Sequence, residues 1–136
     1  MTRHIRLVVN PSAGKGRALE VLPHVAGRLR DGGAHLEILL SRDFAEAQSM
    51  TRHAIDDGVD VLAVMGGDGM MHLGVNTSAV AHLSGDKRTT LGLIPAGTGN
   101  DLCRGIGLDP RDAVAAAAVI AEGYIRAIDL ARVGDS

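Results

Sequence analysis

The stretch Val59-Asp60-Val61-Leu62-Ala63-Val64-Met65-Gly66-Gly67-Asp68-Gly69 decides the fold. Val59 to Met65 is a near-continuous apolar run of strand length. Central strands of parallel sheets have this composition because both of their faces are covered. The run ends on three glycines around one carboxylate. Glycine lets backbone N–H groups approach a ligand closely and tolerates positive φ. A carboxylate can orient a metal held by phosphate, or take a proton. The tetrapeptide Gly66 to Gly69 therefore predicts a phosphate site. Gly and Asp also suit a plain tight turn, with Asp68 capping the next helix.

Outward from this strand, the chain alternates strand and helix patterns. Ile5 to Val9 reads as a short buried strand running into Asn10-Pro11-Ser12-Ala13-Gly14-Lys15-Gly16. A helix follows with Leu19, Leu22, Val25, Ala26 and Leu29 on one face, stopped by Gly32-Gly33. Leu36 to Leu40 is a second strand, ending at Ser41. Phe44 to Asp57 is a helix with Ala47, Met50, Ala54 and Ile55 inward, closed at Gly58. Met71 to Leu83 is the next helix, Ser84 to Thr89 a polar loop and Leu91 to Ile94 a fourth strand. The last helix opens at Asp109-Pro110-Arg111-Asp112, with Asp109 as N-cap and Pro110 at the first helical position. Gly123 ends it, and Ile125 to Val133 reads as a further strand. Alternating strands and helices predict an α/β domain with a largely parallel sheet. Ligands bind such sheets at the carboxyl ends of their strands.

Three Gly-rich turns fall at that edge: Asn10 to Gly16, Gly66 to Gly69, and Pro95-Ala96-Gly97-Thr98-Gly99-Asn100-Asp101. The first lacks the G-x-x-x-x-G-K-[ST] of a Walker A loop and the G-x-G-x-x-G of a dinucleotide fold. It can still present backbone N–H groups to phosphate, or be a simple turn capped by Asn10. The third offers Thr98 and Asn100 as hydrogen-bonding groups for phosphate or ribose, or as caps for a short helix. The six histidines show no metal-ligand spacing; His4, His24, His35, His53 and His82 read as solvent-facing, and His72 lies nearer the second turn. Cys103 reads as a small packed residue.

Composition excludes several classes. The chain has 136 residues, enough for one domain with a real core. Its 46 % apolar content is that of a globular protein. Phe44 and Tyr124 are its only aromatics, which excludes a stacking platform for single-stranded nucleic acid. A net charge of −2, from 14 basic and 16 acidic residues, provides no basic field for nucleic acid. One cysteine permits no internal disulfide and fits a reducing cytosol. Arg3 and Arg6 interrupt the short apolar start, so no signal peptide is expected. The longest apolar run, Ala113 to Ala121, is far short of the ~20 residues of a membrane-spanning helix. A lipid substrate would be met from the water side. No edge-strand or interface pattern decides the oligomeric state, and a homo-oligomer stays open.

In this order, Asn10-Pro11-x-x-Gly14-Lys15-Gly16, Gly66-Gly67-Asp68-Gly69 and Ile94-Pro95-Ala96-Gly97-Thr98-x-Asn100-Asp101 resemble the nucleotide-binding domain of the diacylglycerol kinase-like lipid kinases. This family includes bacterial diacylglycerol kinases and the sphingosine and ceramide kinases, and the resemblance covers essentially the whole chain. It implies a three-layer, Rossmann-like parallel sheet over residues 1–136, one domain of a longer protein, cut before a second, β-rich domain. It also implies ATP bound across the turns with Mg²⁺, and γ-phosphate transfer to a hydroxyl of diacylglycerol or a sphingoid lipid. The nucleotide would be held by Asn10, Pro11, Ser12, Ala13 and Gly14, and by Gly66, Gly67, Asp68 and Gly69. Ser41 matches a Thr or Ser position that contacts ATP, and Thr98 matches another contact.

Asp68 is the implied catalytic residue. In the sphingosine kinase branch this Asp is proposed to deprotonate the lipid; in bacterial diacylglycerol kinases an Asp of the β-rich domain takes that role, and that domain also supplies Mg²⁺ ligands. The implied setting is cytoplasmic, peripheral to the membrane, in phospholipid biosynthesis. Three positions depart from the pattern: Ala13 for Ser, Met70 for Thr or Ser, and Leu73 for Glu. Gly69-Met70-Met71-His72 with Asn76 is similar to the sphingosine and ceramide kinase version. A lone Gly-Gly-Asp-Gly also fits NAD kinases, so an NAD kinase-like enzyme is the alternative. A non-catalytic nucleotide-binding module is another, to which Ala13 and Met70 lend weight.

Overall fold

The computed structural model describes residues 2–85, 89–96 and 112–122. Its elements are β1 (His4–Val9), α1 (Arg17–Asp31), β2 (His35–Leu40), α2 (Phe44–Asp57), β3 (Val61–Gly66), α3 (Asp68–Leu83), β4 (Thr90–Pro95) and α4 (Ala113–Ala121). The four strands form one sheet in the order β2-β1-β3-β4, with every pair parallel. The expected fifth strand at 125–133 lies outside the described residues.

The apolar run at the centre of the chain explains the layering. Every residue of β3 is buried, because its alternate side chains serve two cores. Ile5, Leu7, Val9, Val61, Ala63, Met65 and Ile94 pack with α1 and α4. Val8, Leu62, Val64 and Leu93 pack with α2 and α3. The result is three layers, helices over both faces of a parallel sheet. Two glycines let a helix come close to the sheet. A Cβ at Gly74 would lie 2.7 Å from Cγ2 of Val64, and one at Gly92 would lie 2.5 Å from Cδ1 of Ile120.

Four expectations differ from the structure. Leu19 is 48 % exposed, and the inner face of α1 is instead Ala18, Val25, Ala26 and Leu29. The apolar set at 18, 25, 26 and 29 puts Leu19 on the flank. Within α1 the exposed Pro23 takes no part in that face. Strand β3 begins at Val61, not Val59, and runs on to Gly66. Helix α3 begins at Asp68, three residues earlier than the sequence pattern suggested, because Met70 and Met71 enter the core at once. The N-cap of α4 is Asp112, whose carboxylate accepts from the Ala115 N–H at 2.9 Å. Asp109 and Pro110 lie outside the described residues. In contrast, α2 has the expected limits, with Asp43 capping its start and Gly58, at φ 70°, ending it. No helix among the described residues is long and apolar enough to cross a membrane.

Candidate site at the carboxyl edge of the sheet

The strand order fixes where a ligand can sit. From β1 the chain steps outward to β2, then crosses back to β3 on the other side of β1. The connections leaving β1 and β3 thus diverge, and such a switch point opens a crevice outside the carboxyl ends of those two strands. The first two Gly-rich turns leave from those two ends.

Backbone hydrogen bonds extend the sheet past the strand ends and pin the turns together. The Asn10 N–H donates to the Met65 carbonyl, the Ser41 N–H to Val9, and the Ala96 N–H to Gly66, each at 2.9 Å. Ser41, Asn10, Gly66 and Ala96 therefore line up side by side along one edge. Of the third turn, only Pro95 and Ala96 are described; Thr98, Asn100 and Asp101 lie outside the described residues, as does Cys103.

In the first turn, Oδ1 of Asn10 accepts from the Ser12 N–H at 3.2 Å and from Oγ of Ser12 at 2.9 Å. Asn10 thus folds its own turn and does not cap α1, whose N-cap is Gly16 with no side-chain acceptor. Gly14, Lys15 and Gly16 have φ of 63°, 60° and 91°. This left-handed run suits glycine and is unusual for Lys15. The Ala13 methyl is buried in the core against α1. Pro11 is half-buried, while Ser12 and Gly14 are exposed.

The second turn is tighter than expected. Gly66 ends β3, Gly67 is an extended N-cap at φ −84°, and Asp68 and Gly69 already belong to the first turn of α3. None of these glycines needs positive φ; the left-handed backbone lies in the first turn instead. Gly66 is required by proximity. A Cβ there would meet Cγ of Met70 at 2.6 Å and Cβ of Asn10 at 3.3 Å. Gly67 and Gly69 have nothing within 4 Å of such a Cβ, so both face open space. No side chain caps α3, and a helix start of this kind directs its N–H groups and the positive end of its dipole at an anion.

Asp68 is half-exposed on that first turn, and its Oδ2 lies 3.5 Å from Nε2 of His72, one turn on. The pair becomes ionic when His72 is protonated. Met70 and Leu73 are both buried. At these two positions, the hydroxyl and carboxylate of the family pattern are replaced by core contacts. The Ser41 hydroxyl, also buried, donates to the Val9 carbonyl at 3.1 Å. Its remaining lone pair is still able to accept. Among the described residues no group of three His, Cys, Asp or Glu side chains gathers to hold a metal. The Asp68 carboxylate, the one this turn offers among the described residues, would fit Mg²⁺ in the manner of phosphate-borne magnesium, which takes one or two carboxylates and keeps several waters.

The sequence leaves His72 either near the site or simply on the helix surface, and its approach to Asp68 is the signal hidden in the i, i+4 spacing. Sequence reasoning also missed the groove between α2 and α3. It measures about 580 Å³, and Gly69 and His72 form part of its lining.

Residues 4–133 match the family model of the diacylglycerol kinase catalytic domain. Over 131 residues the chain is 33 % identical to a diacylglycerol kinase of Mycobacterium tuberculosis, covering 96 % of this chain and 40 % of the relative. Over 129 residues it is 30 % identical to sphingosine kinase B of Dictyostelium discoideum, covering 94 % of this chain and 17 % of that protein. A crystal structure of a diacylglycerol kinase from Bacillus anthracis superposes with a TM-score of 0.73 at 29 % identity, covering 90 % of this chain and 44 % of that one. The chain thus spans about 40 % of the length of the bacterial diacylglycerol kinase it matches.

Proposed function

This chain belongs to the diacylglycerol kinase catalytic-domain family, and on that premise we propose that it is the nucleotide-binding part of an ATP-dependent lipid kinase. The observation that carries this reading is the joining of the Asn10 and Gly66 turns across the switch point. There, Gly67 and Gly69 leave open space beside the uncapped start of α3.

In this reading the phosphates of ATP lie between the two turns. Backbone N–H groups of Gly14 and of Gly67 to Gly69 receive them, with Asn10 and Pro11 shaping the first turn and Asn10 tying up the N–H groups of Ser12 and Ala13, while Ser12 and Ala13 line the approach. Ser41 and Thr98 add nucleotide contacts. The lipid hydroxyl attacks the γ-phosphorus, the bond to the β–γ bridging oxygen breaks, and ADP leaves. The hydroxyl proton passes to a carboxylate base. Phosphoryl transfer of this kind rests on positioning and charge neutralisation. Asp68 would help hold magnesium brought in with the nucleotide, which would supply charge neutralisation on the phosphate oxygens. Asp68 serves by orienting that charge or by taking the proton. The acceptor is diacylglycerol or a sphingoid lipid presented at a membrane surface, and the work of this domain is completed by a second, β-rich domain of the longer protein.

A lipid-panel kinase assay on the full-length protein tests the reading, with NAD offered in parallel. Lipid phosphorylation is expected. Asp68→Asn should lower kcat by roughly 10²–10⁴-fold, the range of a lost acid–base group, while ATP binding measured by calorimetry persists. Phosphorylation of NAD and of no lipid would overturn the proposal. Full turnover by Asp68→Asn would remove Asp68 from the mechanism.

A further inference from the structure

The first turn places a cation where the backbone least favours a side chain. Gly14, Lys15 and Gly16 follow one another at φ of 63°, 60° and 91°. Glycine enters this left-handed region freely, whereas a Cβ is strained there. Among the described residues Lys15 is the only one other than glycine with positive φ. Such outliers cluster at ligand clamps, held in place by the structure around them. Here the chain on either side does the holding. The Arg17 N–H donates to the Gly14 carbonyl at 3.2 Å and the Ala18 N–H to Ala13 at 3.3 Å, which closes the turn around Lys15.

The polar groups of this turn have no internal use. Lys15 is exposed. Among the described residues its ammonium meets no carboxylate, and the N–H groups of Gly14 and Lys15 meet no acceptor. By contrast Arg6, Arg28 and Arg42 are each paired with carboxylates. Arg17, the nearest other cation along the chain, already belongs to α1. The turn leaves the carboxyl end of β1, and the Asn10 N–H ties it to Met65 of β3. Lys15 therefore stands on the connection that borders the switch-point crevice.

We propose that Lys15 is a nucleotide contact whose ammonium binds the terminal phosphates of ATP. The inference rests on the lipid kinase reading above and adds a side-chain cation to its backbone donors. The chemistry of the turn selects a polyphosphate. A lysine ammonium is a compact point charge on a flexible four-carbon stem, and it meets phosphate without the planar fit that arginine requires. The open N–H groups at Gly14 and Lys15 supply donors of the kind that anions take. The edge otherwise offers one carboxylate, Asp68, and among the described residues no gathered metal-ligand set. A triphosphate bound there keeps net negative charge even with one magnesium, and phosphoryl transfer depends on offsetting it. Lys15 provides that positive charge from the protein.

The test uses the full-length protein and three substitutions, with ATP and adenosine titrated by calorimetry and stability read from thermal melts. Lys15→Gln removes the charge and keeps a side chain. Lys15→Gly removes the charge and relieves the backbone, so it should melt at or above the wild-type temperature. Both should weaken ATP binding by roughly tenfold to a hundredfold, the loss of one hydrogen bond between charged groups. Adenosine, which has no phosphate, should bind each variant as it binds wild type. Lys15→Arg should recover most of the ATP affinity. The KM for lipid should not move in any of them. ATP affinity unchanged in Lys15→Gln and Lys15→Gly overturns the assignment and leaves the kinase reading standing. Equal losses of ATP and adenosine, or no recovery in Lys15→Arg, would make Lys15 a residue of turn shape and also overturn it. If wild-type protein binds no ATP, the kinase reading fails by itself, and titration with tripolyphosphate then decides Lys15. Binding to wild type that Lys15→Gly loses upholds the phosphate contact; no binding, or equal binding, sinks it.

Discussion

Three glycines of one tetrapeptide do different work, and substitution separates them. Gly66 is locked by neighbours, since a Cβ would press on Met70 and Asn10 within 3.3 Å. Gly66→Ala should cost about 1–3 kcal/mol through overpacking, visible as a lower denaturation midpoint. Gly67 and Gly69 meet nothing within 4 Å and have no positive φ. Gly67→Ala and Gly69→Ala should leave stability within about 1 kcal/mol yet weaken ATP binding, because their added methyls would stand where a phosphate approaches. Calorimetric titration with ATP beside chemical denaturation reads both effects. Unchanged ATP affinity in both variants would place the phosphate elsewhere. The sequence made the close approach at this turn legible, but it suggested left-handed glycines where there are none. Gly-Lys-Gly at 14–16 carries that backbone instead. Composition announces that some residue bends, and only the packing of Met70 and the start of α3 decide which.

Among the elements, α2 is the one whose limits were readable residue by residue, because its signals are local. Asp43 accepts from the Glu46 N–H at 2.8 Å, and Glu46 accepts in return from the Arg42 N–H at 2.9 Å. The Arg42 guanidinium also reaches Glu46 at 2.8 Å. The side-chain hydrogen bond from Arg42, followed by that from its backbone, holds the Glu46 carboxyl below the usual carboxylate range. A carboxyl depressed in the folded state stabilises it above the ordinary glutamate pKa. That contribution is lost as pH falls through the depressed value. Glu46→Gln should therefore melt lower than wild type near neutrality, and the gap should close in acid; thermal melts across a descending pH series check this. A gap that widens in acid would reverse the sign. The effect is small, because the carboxyl sits at an exposed helix end. Elsewhere the element boundaries depended on non-local contacts. The start of α3 and the outward turn of Leu19 follow from which side chains the two cores admit, and no window of sequence contains that information.

At the scale of the molecule, the parallel sheet and its edge of turns were legible because each strand and each turn carried its own signal. The union of Asn10, Ser41, Gly66 and Ala96 along that edge was not, because strand order β2-β1-β3-β4 is set by tertiary packing. The groove between α2 and α3 was invisible for the same reason: it is made of two helix faces, each ordinary alone. The architecture also divides labour. The described edge supplies backbone donors and one carboxylate, Asp68, with no gathered metal-ligand set among the described residues. Such an edge can bind a nucleotide, but in-line transfer also requires a positioned acceptor and charge neutralisation on the moving phosphate. The chain spans about 40 % of the bacterial diacylglycerol kinase it matches. We therefore predict that residues 1–136 produced alone bind ATP weakly and transfer little or no phosphate to lipid, whereas the full-length protein does both. Calorimetry with ATP and a radiolabelled lipid assay on the two proteins in parallel make the comparison. Lipid phosphorylation by residues 1–136 at the full-length rate would mean that Asp68 and its neighbours suffice for the whole reaction, with no contribution from a second domain.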